Sequence, residues 1–546
     1  MVVETDQISI NRVQEIGPMV FIIPVLEKLQ IRKIVDCLCP IREIAPYSIG
    51  EVVEILIMNR LINPEPFYEV EHWMKRSAVA EYYGKEQKSI SDDKIARSLD
   101  KLYESIQNIE SKIAINAIEE FNLDITSFHY DITSISFEGM YRKDEEDEYI
   151  NIVHGYSRDR RPDLKQATLG IDITHEYGIP LTHKTASGNI TDVTTYKANL
   201  ERIQKQLSIA NPILIHDRGM VSTQNLLHAQ EAGAKFICTY ELTDSVKKIL
   251  TQQIVTGATF ELLSYQPMFN KQKDKYRYYG IESCMTIPVN NKKTEEKKQL
   301  SCRLIFIRSD EKLKKDKKQR IKNMEKIIKG LDHIKSLLNK YNYKTISYVD
   351  RQIGELLSRN SCAKYFTINV TQIEGLILLE YHINDDFVNE DSFFDGIYAL
   401  ATNLEEKGYD KNKILIKYKG QHRVESRFRN LKSELKVSPV FLHSEKRIES
   451  LLFIIFLSLM VYSLIEKVVR ESKKPEYERM TTRMLFKLFE NVALVHIQLK
   501  ATLTCEKSSS GTAICHEIKK VSNLSSPLRE LLQVINFKIP TEYFEK

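Results

Sequence analysis

Paired cysteines are missing from this chain of 546 residues. The cysteines at 37, 39, 238, 284, 302, 362, 505 and 515 form no CxxC pair and no Cys/His cluster at zinc spacing. That excludes a disulfide framework and a zinc module, and it reads as reduced, mostly buried thiols in a cytosolic protein. The features of a signal peptide are missing from the first residues as well, since MVVETDQISINRV has neither a basic start nor an apolar core. No apolar run is long enough for a membrane span. The longest, Leu451 to Ile465, has about fifteen residues against the roughly 18–20 that a span needs, and reads as a core helix. The GxxxxGK[ST] loop that cradles ATP phosphates is absent, and no GxSxG elbow supports a serine nucleophile. Repeats and extended low-complexity tracts are absent too.

Charge of one sign is also scarce overall, with a net of +5, but it is unevenly placed. Residues 411–450 carry eleven Lys/Arg against four Glu, a balance of +7, and residues 311–350 also come to +7. Residues 361–410 hold ten acids and two lysines, a balance of −8. Basic blocks on a balanced chain suit a face that binds a polyanion. The length allows two to four domains and a large core.

Five segments follow from the patterning. Residues 1–122 read as helical, with apolar residues three and four apart in EVVEILIMNRLI and DDKIARSLDKLYESIQNIESKIAINAIEEF, and Trp73 in a short connection. Residues 123–245 change character. SFHYDITSISFEG, QATLGIDI and IPLTHKTA read as strands, the last two joined by a turn at Gly178. A helix capped by Thr191, the strand PILIHDRGM, the helix STQNLLHAQEAG and the strand KFICTYEL follow. Strand, strand, strand, helix, strand, helix, strand is the core order of a ribonuclease H-like α/β domain. Residues 246–394 break that rhythm with further strands and a Lys-rich helix at about 311–340, and read as a β-rich insertion. Residues 395–470 resume the core with DGIYALATN, and residues 471–546 read as a helical tail with a KSSSGTA loop.

Three acids stand where such a core would use them. Asp131 lies inside an apolar strand, where an unpaired carboxylate carries a desolvation cost. Asp217 ends a strand, at the carboxyl edge where open α/β sheets place their sites. Glu425 lies in YKGQHRVESRFRNLK, residues 418–432, read as one helix. At 3.6 residues per turn, Tyr418, Gln421, Glu425, Arg429 and Lys432 fall in one polar stripe, while Val424, Phe428, Leu431 and Leu435 form an apolar one facing a core. Converging carboxylates of this kind hold two divalent cations about 3.5–4 Å apart, one activating a water or 3′-hydroxyl and one stabilising the leaving oxygen. Hard oxygen ligands and a phosphate substrate favour Mg²⁺, with Mn²⁺ as a substitute. His216, beside Asp217 but on the opposite side of its strand, reads as a core histidine. Asn189, Thr191 and Asp192 in ASGNITD read as a turn and helix cap, and SRDRRPDLK (157–165) as a basic loop beside the site.

These residues resemble the DDE transposases of bacterial and archaeal insertion sequences, in the large family-four grouping. The signature helix of that family is Tyr, two residues, Arg, three residues, Glu, six residues, Lys. Tyr418, Glu425 and Lys432 match at that spacing, and Gln421 stands where Arg is usual. GYSRDRRPDLKQATLGI, PLTHKTASGNITD, DRGM, DGIYALATN and FRNLKSEL extend the likeness over most of the chain. The resemblance implies a metal-binding catalytic triad of Asp131, Asp217 and Glu425, and phosphate contacts from Tyr418 and Lys432. An amide at 421 supplies no charge, so Arg423 or Arg429 would compensate, with weaker end binding or a different contact as the expectation.

The expected protein is a cut-and-paste DNA transposase with a ribonuclease H-like catalytic core, using two Mg²⁺ ions. Its partners would be the terminal inverted repeats and target DNA, bound as a homodimer, with no ATP and no membrane, in the cytoplasm at the nucleoid. The N-terminal helices would recognise the repeats. The alternatives are a metal-dependent nuclease of the same fold that does not join strands, and a DNA-binding relic without catalysis.

Overall fold

The computed structural model describes residues 8–41, 46–85, 90–141, 149–266, 276–290, 297–358, 360–438, 440, 442–472, 474–503 and 512–545. The chain forms two compact units, Met1–Lys235 with Lys419–Lys546, and Phe236–Tyr418. The second unit therefore interrupts the first, and it is longer at both ends than the expected 246–394 insertion. The mixed α/β character expected from the patterning is present.

The first unit is organised around the helix Glu445–Glu471, whose apolar run is buried on nearly every side. It is long and apolar enough to cross a membrane, but 94% of that stretch lies inside the fold. The helices Met19–Leu29, Ile49–Ile62 and Asp92–Tyr103 pack on it from one side and the strand Pro180–Ser187 from another. Its few polar groups are satisfied locally. Ser450 donates to the carbonyl of Leu99 at 2.8 Å, and Arg447 clasps Asp100 through two bonds of 2.8 Å. Helix Ile49–Ile62 starts where a capping box between Ser48 and Glu51 fixes its first turn.

Four strands of this unit form the layer that carries the acids. Ser127–Phe137 pairs antiparallel with Lys165–Thr174, which pairs antiparallel with Pro180–Ser187, and Ile213–His216 runs parallel to the start of Ser127–Phe137. The helices Asp192–Gln206 and Thr223–Glu231 follow in the expected order. Gly178 turns the second pair with a φ of +63°.

Several local expectations change. The 418–432 stretch is not one helix: Lys411–Lys419 ends, and His422–Ser433 begins after a break at Gly420 and Gln421. The 92–121 segment is likewise two helices, Asp92–Tyr103 and Ile106–Glu120. Trp73 is buried within a short helix, Val70–Arg76. The tail is not wholly helical. Ala493–Leu503 and Thr512–Ser522 form a hairpin, and the N-terminal Ile8–Glu15 adds to it as a third strand, so the two ends of the chain share a sheet. β-branched and apolar residues alternate in ALVHIQL, a period of two that favours a strand. Most of the KSSSGTA loop lies outside the described residues.

In the second unit, Ile397–Thr402 pairs with Lys235–Tyr240 on one side and Lys297–Ser309 on the other, followed by Tyr278–Asn290 and Glu261–Leu262. A separate apolar cluster joins the Lys-rich helix Asp310–Leu337 to the helix Ile346–Leu357 and the hairpin Phe366–Ile373/Leu376–Ile383, through Ile327, Leu331, Val349 and Leu379. Among the cysteines whose side chains are described, 39, 238, 302 and 362 are buried and 37 and 284 exposed, all as free thiols.

Candidate active site

Strand register brings two of the three acids together. Ser127 lies opposite Ile213 and His129 opposite Ile215 in the parallel pair. Asp131 follows two residues on in its strand, and Asp217 follows just past the end of its own, close enough for its charge to act on Asp131. Asp131 is half-buried, and its carboxyl is pushed up to about 7. Desolvation is the main cause, the Asp217 charge adds to it, and the Ile132 amide, donating to Asp131 Oδ1 at 2.8 Å, works against it. A carboxyl that resists ionisation beside another carboxylate is a position a cation would relieve.

Arg158 supplies part of that relief. It comes from the basic loop after Ser157 and pairs with Asp192 at the start of the helix Asp192–Gln206. Its positive charge lowers the Asp131 pKa while Asp192 raises it. Thr191 occupies the cap position of that helix without a side-chain capping bond, and the Asp192 carboxylate lies against the turn after Asp217, 3.2 Å from where a Cβ on Gly219 would stand. Read in the sequence as a turn and cap residue, Asp192 is thus a third acid near Asp131 and Asp217. The signal was there in ASGNITD, but a cap explained the same residues.

Glu425 is exposed on the first turn of His422–Ser433. That helix packs on the strand Ser127–Phe137. Val424, Phe428 and Leu431 face inward, as the periodicity predicts, and Arg427 joins them. The buried Arg427 donates to the carbonyls of Gly178 at 2.9 Å and Tyr177 at 2.6 Å, and approaches Glu466 of the core helix at 3.4 Å. Sequence reasoning passed over Arg427, because an arginine in a basic stretch looks like surface. Two further ties set the direction of the helix. Gln421 Oε1 meets His129 Nδ1 at 2.9 Å, and Ser438 donates to the carbonyl of Ser136 at 3.3 Å. Chain order thus runs the same way along helix and strand. Gln421 and His129 fix the start of the helix beside the strand two residues before Asp131, and Glu425 follows about one turn later on that helix. Among the described residues, no three acids, histidines or cysteines stand close enough together to hold one ion. Asp131 and Asp217 lie close enough to interact electrostatically, and Glu425 lies on the helix packed over the Asp131 strand.

The remaining candidates are scattered in environment. Gln421 is 8% exposed, its side chain turned inward to His129 rather than out toward a phosphate. Tyr418 belongs to the second unit, half-buried, and its hydroxyl accepts from Thr239 at 2.7 Å. Arg423 is half-buried and Arg429 exposed. Lys432 pairs with Asp159 of the basic loop. His216 is buried edge-on to Tyr196 at 4.9 Å, and burial holds its pKa down to about 3, so it is neutral and structural. A resident divalent cation fits the donor set, since Asp131 and Asp217 are hard oxygen ligands and Asp131 is already strained in charge.

Comparison with known proteins agrees with these features. A family model described as a transposase DDE domain matches residues 152–461, which takes in Asp217 and Glu425 and begins after Asp131. A domain of unknown function (DUF4277) matches residues 11–115. Among curated proteins there is no match. A solved piggyBac transposase synaptic complex with hairpin DNA aligns over 88% of this chain and 83% of its own, at 8% identity and a TM-score of 0.36, too loose a likeness to argue from. The transposase match alone covers more than half the chain, and the chain belongs to the transposase DDE domain family.

Proposed function

We propose that this chain cuts and joins DNA at the terminal inverted repeats of an insertion sequence, by cut-and-paste transposition on a ribonuclease H-like core. The observation that carries the reading is the approach of Asp217 to Asp131 from neighbouring parallel strands, close enough for one charge to act on the other, with Glu425 on the helix packed over the Asp131 strand. The strand order about Ser127–Phe137 supports the ribonuclease H-like assignment.

Asp131, Asp217 and Glu425 would hold two Mg²⁺ ions, with Mn²⁺ as a substitute. When bound, such ions supply an activated water or 3′-hydroxyl and stabilise the leaving oxygen. The residues of the chain do the rest. Asp131 gives up its proton on loading, because its raised pKa leaves a carboxyl that binds cation and proton in competition. Arg158, paired with Asp192 and acting on Asp131 through its charge, offsets part of the repulsion between the carboxylates until that happens. Lys432, Arg423 and Arg429 line the same helix and supply phosphate contacts that set the DNA backbone in line with the acids. Both element ends must be held at once, so the working form is a homodimer on duplex DNA. Affinity falls steeply with salt as the contacted phosphates release counterions.

The test is cleavage of a labelled duplex bearing the inverted repeats that flank the gene, in Mg²⁺ or Mn²⁺, with wild type beside Glu425→Gln. Metal-dependent cuts at the repeat ends, lost in the variant while it still binds the duplex, are expected. Binding without cutting in the wild type, under both metals, overturns the reading.

A further inference from the structure

Gln421 stands where an exposed cation was expected, and the structure gives it other work. It precedes the helix His422–Ser433, and its Oε1 lies 2.9 Å from His129 Nδ1. His129 is fully buried, and its other ring nitrogen lies 2.9 Å from His175 Nδ1, the two rings stacked with centroids 5.2 Å apart. His175 is held in turn by its backbone amide, which donates to the carbonyl of Ser127 at 2.9 Å. Gly420 allows the approach: a Cβ there would lie 2.7 Å from His129 Nε2 and 2.8 Å from His175 Nδ1.

The chain of bonds has one consistent polarity. An amide oxygen only accepts, so His129 Nδ1 carries its proton toward Gln421. His129 Nε2 is then the acceptor for a proton on His175 Nδ1. Each group fixes the tautomer of the next, which makes the junction directional and stiff. It lies two residues from Asp131 on the same face of its strand, and one helical turn before Glu425.

We infer that Gln421, through His129 and His175, is a positioning residue that sets the register of the Glu425 helix against the Asp131 strand, and is not a phosphate contact. This rests on the metal-dependent reading above. A helix slipped by one residue would move Glu425 by 1.5 Å along the axis and about 100° around it, enough to take the acid away from Asp131 and Asp217.

The experiment compares Gln421→Leu, Gln421→Glu and Gln421→Arg in the full-length protein, with three readouts: Mn²⁺ affinity by calorimetry, single-turnover cleavage of bound duplex, and duplex affinity at two salt concentrations. Leu removes the acceptor and leaves the buried His129 Nδ1–H unmatched, while also removing an amide nitrogen that is buried without a hydrogen-bond partner among the described residues, so a modest fall in melting temperature is expected with the fold retained. Expected for Leu is a loss of about tenfold or more in cleavage and a weaker Mn²⁺ affinity, with duplex affinity unchanged. Glu keeps an acceptor facing His129 and should recover most of the cleavage lost in Leu. Arg should resemble Leu. His129→Phe should reproduce the Leu phenotype, and the double variant should be no worse than either single one. The opposite order, with Arg best, Glu worst and the change confined to duplex affinity and its salt slope, identifies a phosphate contact and overturns the inference. Unchanged cleavage and Mn²⁺ affinity in Leu overturn it equally. Should Leu unfold, Glu against Arg decides on the same readouts. If the wild type cuts no DNA the functional reading fails, while the Mn²⁺ affinities still judge the positioning role.

Discussion

At the scale of single residues, Asp131 sets the pH behaviour of the site. Its carboxyl is raised from the ordinary 3.8 to about 7, chiefly by desolvation, so the fold prefers the protonated form. The stability this confers is complete below the ordinary value and is lost as pH rises through about 7. Metal-free wild type should therefore lose more melting temperature than Asp131→Asn between about pH 5 and about pH 8, and saturating Mg²⁺ should shrink the difference. Equal slopes in thermal melts of the two proteins would remove Asp131 as the source. Calorimetry of Mg²⁺ binding near pH 6, repeated in buffers of different ionisation enthalpy, should register proton release that Asp131→Asn lacks. Arg158 gives a companion prediction. Arg158→Gln leaves Asp131, Asp192 and Asp217 without the guanidinium that pairs with Asp192 and offsets the charge at Asp131, so it should melt lower in EDTA and regain a larger share of stability on adding Mg²⁺ than wild type does.

At the scale of elements, the junction between strand and helix governs. Gly420→Ala forces a methyl against ring nitrogens of the buried His129 and the half-buried His175, and should cost about 1–3 kcal/mol in chemical denaturation. Arg427→Leu removes the bonds to Gly178 and Tyr177 but leaves Glu466 still paired with Arg470 at 3.0 Å, so about 3 kcal/mol is expected rather than more. A loss under about 0.5 kcal/mol in either variant would show that the junction contributes little. These elements also show what the sequence could and could not say. The strand carrying Asp131, the strand ending at Asp217 and the inward Val424–Phe428–Leu431 face are legible because alternation and helical spacing are local. The break at Gly420 was hidden by a polar stripe that continues in phase across it. The inward turn of Gln421 was hidden because its partner, His129, lies 292 residues away. Arg427 and Asp192 were masked by ordinary explanations, a basic surface and a helix cap, and only tertiary packing decides between such readings. The C-terminal hairpin takes its partner, Ile8–Glu15, from the opposite end of the chain, so local signals there were weak.

At the scale of the whole molecule, each unit has its own core. Leu331 is fully buried in the second unit between the Lys-rich helix and its neighbours, and Leu331→Ala should cost about 2–5 kcal/mol there. Scanning calorimetry should show that loss in one transition and leave the other in place; a uniform shift of a single transition would contradict two separate cores. The interruption of the first unit by the second also has a consequence in time. Asp131 and Asp217 leave the ribosome early, while Glu425 follows Asp217 by 208 residues. At roughly 5–20 residues per second, the first two acids wait about 10–40 s for the third. During that interval the nascent chain carries the two strands without the Glu425 helix, so on the proposed function a polypeptide still being translated would be unable to cut the DNA from which its own message is being read.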